Sequence, residues 1–163
     1  MARDAQRSKV YAAEEFVRTL FDRASSRGTA TLDFFGASMT LPPEARFASV
    51  ESVRRYVDEV LALESVRRSW PEAGPLAVRS RRGRTAAHYE RVDDEATIAV
   101  PDQSTTWALR ELVVLHEIAH HLSPVEPAHG PEFTSTFCAL AEAVMGPEVA
   151  HVLRVVYAKE GVR

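Results

Sequence analysis

The sequence predicts an α+β fold in which about five helices pack with a small antiparallel sheet, a meander, that leads straight into a further helix. Three observations predict it. Apolar residues recur at helical spacing in windows near both ends, strand-favouring segments separated by turn residues fill the stretch from Leu76 to Val100, and the composition, 45% apolar and 26% charged, is that of a globular chain. A length of 163 residues suits one domain with a real core, and no repeat, low-complexity tract or long linker interrupts it, so residues 1–163 read as a single domain.

The elements follow in order. Val10, Ala13, Phe16, Val17, Leu20 and Phe21 form one apolar stripe, predicting a helix from about Asp4 to Ala24 with Asp4 as N-cap and Arg27-Gly28 as the stop. Thr29 to Leu41 reads as extended, interrupted at Gly36 and ended by Pro42-Pro43. Val50, Val53, Val57, Val60 and Leu61 predict a second helix over Ser49–Val66, with Tyr56 in the core. Leu76–Arg81 and Thr85–Glu90 read as strands joined at Arg82-Gly83, and Asp93-Asp94 turns the chain into a third, Ala96–Val100. That third strand is the expected exposed edge, to which an extended peptide could add by main-chain hydrogen bonds. Ser104 is the expected N-cap of the next helix, which ends at Leu122 because Ser123 precedes Pro124. Two amphipathic helices complete the chain, one opening at Gly130-Pro131 and one at Gly146-Pro147.

Composition narrows the function. A net charge of −3 argues against a general nucleic-acid-binding surface. The single cysteine, Cys138, rules out an intramolecular disulfide and suits a reducing cytoplasm. No secretory leader and no apolar run of about 18 residues is present, so the expected location is cytoplasmic, with no membrane partner.

The helix before Pro124 carries His116-Glu117-Ile118-Ala119-His120, an H-E-x-x-H motif. Residues four apart on a helix share a face, so both imidazoles can reach one metal ion. Glu117 lies about 100° around the helix, beside that ion, where a carboxylate can take a proton from a bound water. A catalytic zinc takes a third protein ligand, and the loop through Pro127 and Gly130 can bring His129 back toward the pair. Two other spacings stay open: Glu126, six residues after His120, and Glu142 on the next helix. His121 points away from the pair and reads as partly exposed or as a support for the ligands.

HEIAHH followed by HGPEF resembles the SprT-like zinc metalloproteases, whose pattern is H-E-x-x-H, a variable loop, then H-G-x-x-F. The chain is also similar, over most of its length and including RDAQRSKVYAAE and YVDEVLAL, to a family of small bacterial metallohydrolases with no assigned substrate. The resemblance implies a zincin-like domain, Zn2+ as cofactor held by His116, His120 and His129, Glu117 as general base, and hydrolysis of a peptide or protein substrate. The CxxC pairs of the zinc ribbon appended to some SprT-like proteins are missing.

Two alternatives accompany this reading. One is a zinc-containing module that binds peptide or nucleic acid without turnover, and the other is a zinc hydrolase acting on a non-peptide bond. An intact Glu117 speaks against the first, since zinc binding alone needs no base. Arg67, Arg68, Arg79, Arg81, Arg82 and Arg84 form an arginine-rich stretch suited to nucleic acid, a contact the SprT-like resemblance favours slightly. In a chain whose only lysines are Lys9 and Lys159, however, arginine-rich patches are expected, and a solvated hairpin is the favoured reading. His88, Tyr89, His151 and Tyr157 are candidate oxyanion donors or supports for a ligand, and Glu132 is a candidate acceptor for a ligand imidazole. Cys138 reads as a small buried residue.

Overall fold

The structure, a computed structural model, describes residues 2–83, 86–102 and 109–163. Along the chain run α1 (Arg7–Ser26), β1 (Thr31–Phe34), β2 (Ala37–Thr40), α2 (Val50–Ala62), α3 (Glu64–Ser69), β3 (Ala77–Arg81), β4 (His88–Val92), β5 (Glu95–Pro101), α4 (Glu111–Leu122), α5 (Pro131–Met145) and α6 (Pro147–Lys159). The chain is α+β. It groups into two compact units, one formed by Met1–Glu44 with Val125–Arg163 and the other by Ala45–Pro124.

The first unit holds α1, the β1–β2 hairpin, α5 and α6. Helix α1 buries Val10, Ala13, Val17, Leu20 and Phe21 as its spacing predicts, whereas Phe16 is 40% exposed. Glu14 and Arg18 are buried instead, and the hydroxyl of Tyr157 on α6 donates to Glu14 Oε2 at 2.7 Å. The expected N-cap is corrected: Gln6 occupies that position without a side-chain cap, because the Asp4 carboxylate is engaged by His129. Phe35 and Gly36 both take positive φ, the conformation of a tight two-residue hairpin turn. The Phe35 ring receives the Lys159 ammonium 4.0 Å from its centroid, fixing the hairpin to α6. Gly146, with φ of 107°, ends α5, and Pro147 opens α6.

The second unit holds α2, α3, a three-stranded sheet and α4. The helix expected over 49–66 is two helices. Ser49 and Ser52 form a reciprocal capping box at the start of α2, and Leu63 leaves the helical region at φ −60°, ψ 134° before α3 begins. Tyr56, expected in the core, is half-buried and donates its hydroxyl to the Glu111 carboxylate.

The antiparallel meander is also corrected. Strand β5 lies between its neighbours in the order β3-β5-β4, parallel to β3 and antiparallel to β4, so Ala96–Val100 is the centre of the sheet and not its edge. The physical reason is burial. Ala96, Ile98, Ala99 and Val100 are each no more than 5% exposed, which suits a strand covered on every side. Exposed Arg79 and Ser80 on β3, and His88 and Arg91 on β4, suit edges. The Asp93-Asp94 turn is present, with φ of 48° and 67°, and joins β4 to β5. Arg82-Gly83 joins no hairpin, since β3 and β4 do not pair.

Helix α4 starts later than the sequence suggests, with extended Arg110 at its N-cap; Ser104 lies outside the described residues. Its start is tied down by the 45–47 segment: Glu111 N donates to Ala45 O at 3.0 Å, Phe47 N to Leu109 O at 2.9 Å, and Ala45 N to Glu111 Oε1 at 3.0 Å. Among the described residues, no helix is long and apolar enough to cross a membrane.

Candidate metal centre

Helix α4 is apolar on nearly every side. Leu112, Val114, Leu115, Ile118 and Ala119 are all buried, so its polar side chains sit in a wall of hydrocarbon. His116 is 4% exposed and His120 half-buried, one turn apart on one face. Their Nε2 atoms lie 3.2 Å apart. The Tyr89 ring stacks on His120 with centroids 6.2 Å apart.

Glu117 is buried, and the backbone N–H of Tyr89 donates to its Oε2 at 2.9 Å. The edge strand β4 thereby fixes the orientation of this carboxylate. His121 is buried and not partly exposed, and it serves as a tie. Its Nε2 lies 2.8 Å from Gly74 O, a pure acceptor, so Nε2 carries the hydrogen and Nδ1 accepts from the Tyr89 hydroxyl at 3.3 Å. Burial lowers the His121 pKa despite the Gly74 hydrogen bond. Tyr89 therefore meets two residues of the motif, Glu117 and His120, and His121 beside it.

His129 belongs to the other unit, in the loop before α5. Gly130 N donates to Pro127 O at 3.0 Å, closing a turn that presents the His129 side chain. Glycine is required at 130 by close approach: a Cβ there would stand 2.9 Å from Pro127 Cγ. The His129 ring, 5% exposed, lies between Tyr11 and Phe133, each with its centroid 5.1 Å away. Its Nδ1 is 2.7 Å from Asp4 Oδ2, its backbone N–H donates to Asp4 Oδ1 at 3.2 Å, and its carbonyl accepts from Gln6 Nε2 at 2.8 Å.

The alternative carboxylates sit differently. Glu126 is exposed, and Glu142 is an exposed residue paired with Arg154 at 3.2 Å. Glu132, the expected acceptor for a ligand imidazole, is exposed in the first turn of α5. The carboxylate that meets the His129 imidazole is instead that of Asp4, a contact sequence reading missed. Of the four candidate supporting residues, Tyr89 alone lies beside the histidine pair among the contacts described. His88 is exposed, His151 packs edge-on against Phe34, and Tyr157 is committed to Glu14.

Three arginines of the arginine-rich stretch have local partners. Arg79 pairs with Glu90 at 2.6 Å, which lowers the Glu90 pKa, Arg68 pairs with Glu64, and Arg81 donates to Ala86 O; Arg84 lies outside the described residues. Cys138 is buried, and burial pushes its thiol up to about 12, far from a nucleophile's range. No protein-family model, curated protein or solved structure matches the chain.

Proposed function

We propose that the chain is a zinc-dependent hydrolase, most simply a peptidase, in which His116, His120 and His129 hold the ion and Glu117 is the general base. The observation that carries this reading is the Nε2–Nε2 separation of 3.2 Å between His116 and His120. Two nitrogens bound tetrahedrally at zinc distances of about 2.0–2.1 Å stand about 3.3–3.4 Å apart, so this pair fits a shared ion. The donor chemistry also fits, because imidazole nitrogens suit zinc and a carboxylate behind His129 is the usual partner of a ligating histidine. When bound, zinc polarises a carbonyl and makes water a better nucleophile near neutral pH.

The chain's own groups supply the rest. Glu117, oriented by Tyr89 N–H, accepts a proton from the attacking water at a carboxylate oxygen and returns it to the leaving group. The buried surroundings of Glu117 keep bulk water from competing for that proton. Strand β4, an edge among the described residues, offers main-chain groups to an extended peptide in place of β5. A cytosolic location belongs to the same reading.

Glu117→Gln tests the proposal. The amide keeps the shape and leaves the imidazoles intact, so zinc content should match wild type while hydrolysis falls about 10²–10⁴-fold. Peptide fragments can be compared across whole proteomes exposed to each form. Identical fragment sets, together with ligand binding by both forms, would establish a module that binds without turnover.

A further inference from the structure

We propose that Asp4 is the positioning residue of the metal centre, holding the His129 ring in the tautomer whose lone pair lies on Nε2. The proposal rests on reading His129 as a metal ligand. Both oxygens of this one carboxylate are spent on one histidine, Oδ2 on Nδ1 at 2.7 Å and Oδ1 on the backbone N–H at 3.2 Å. A carboxylate only accepts, so the Nδ1 facing it carries the hydrogen and Nε2 is the nitrogen able to bind a cation. Gripping side chain and backbone together also fixes the ring's rotation relative to its own peptide. Tyr11 and Phe133 flank the ring and restrict its turning over.

Gln6 holds the same peptide without touching the ring. Its Nε2 donates to the carbonyls of His129 and Arg163 at 2.8 and 2.9 Å, and its Oε1 accepts from Arg163 N at 3.0 Å. Two neighbouring side chains thus divide the work. Gln6 anchors the loop, and Asp4 both anchors it and sets the proton on the imidazole.

That division gives the test. Asp4→Asn has one acceptor oxygen for two donors. Its NH2 group faces either Nδ1, which moves the ring hydrogen to Nε2, or the backbone N–H, which breaks that bond. Asp4→Ala removes the partner altogether, and Gln6→Ala loosens the loop alone. Ring tautomers are read from ¹⁵N shifts in metal-free protein, and zinc affinity from competition with a chromogenic chelator.

Wild type should show His129 protonated at Nδ1. Asp4→Ala should lose that preference, Asp4→Asn should lose either it or the backbone hydrogen bond, and both should bind zinc about 10–100-fold more weakly. Gln6→Ala should keep the wild-type tautomer and bind zinc more tightly than either Asp4 variant. An unchanged tautomer in Asp4→Ala, or wild-type zinc affinity in the Asp4 variants, overturns the proposal, as does an equal loss of affinity in Gln6→Ala. His129→Ala tests the parent reading separately. If it binds zinc as wild type does, His129 is no ligand; if it loses zinc while the Asp4 variants do not, the ligand stands and the role of Asp4 falls.

Discussion

Replacing Gly130 by alanine should destabilise the protein through a single methyl group. The Cβ would meet Pro127 Cγ at 2.9 Å, Pro127 O at 3.2 Å and Pro127 Cδ at 3.3 Å. Carbon atoms are at ease about 3.5–4.0 Å apart, so the turn must open by several tenths of an ångström. Neither neighbour yields easily: the proline ring has no rotamer to swing away, and its carbonyl is held by the N–H of residue 130. Backbone strain does not enter, because φ −78° and ψ −174° suit alanine. Overpacking costs about 1–3 kcal/mol, and the lower unfolded-chain entropy of alanine returns about 0.4–1 kcal/mol, so the middle of the two ranges leaves a net loss of about 1.3 kcal/mol. For a chain of this size that lowers the unfolding midpoint by roughly 3–5 °C. Circular dichroism melts of metal-free protein measure it, with Gly74→Ala as control, since nothing lies within 4 Å of a Cβ there. A Gly130→Ala midpoint equal to wild type would refute the steric account of the turn.

Two further outcomes follow from the same residues. The buried Cys138 thiol, raised from 9.0 to about 12, and the Tyr157 hydroxyl, raised well above 10.0 by burial and by Glu14, both keep protons that the unfolded chain releases. Stability from these groups is therefore complete below pH 9 and falls as pH climbs toward 12, by up to about 1.4 kcal/mol per pH unit for each group. Urea midpoints between pH 8 and 11 should drop in wild type and drop less in Cys138→Ala; a flat profile would remove the argument. At the metal centre, His129→Ala should weaken zinc binding far more than Glu126→Ala or Glu142→Ala, because both glutamates are exposed and Glu142 serves Arg154. Elemental analysis after dialysis reads the difference, and the opposite ranking would replace the third ligand.

Local relations were legible in the sequence, and distant ones were not. His116 and His120 share a face because four residues make about one turn, a fact of helical geometry that needs no tertiary knowledge. The stripe of α1 and the two-residue turn at Asp93-Asp94 were readable for the same reason. The place of β5 was written in its largely apolar run, interrupted at Thr97, yet the turn signal at Arg82-Gly83 suggested a meander. The break at Leu63 carries no glycine or proline to announce it. Asp4 stands 125 residues from His129, and an acidic residue just before a helix looks like a cap. Only the fold reveals that its carboxylate is spent elsewhere.

The order in which the two units can assemble follows from their chain paths. Ala45–Pro124 is one uninterrupted stretch, so all its internal contacts are available once the ribosome has released Pro124. The other unit is drawn from both extremes of the chain, and its Tyr157–Glu14 hydrogen bond joins residues 143 apart. Helix α1, with Val10, Val17 and Phe21 buried, is therefore synthesised long before the α6 that packs against it. During that interval its apolar stripe lacks its later partner, and closing so long a loop adds an entropic cost that slows folding.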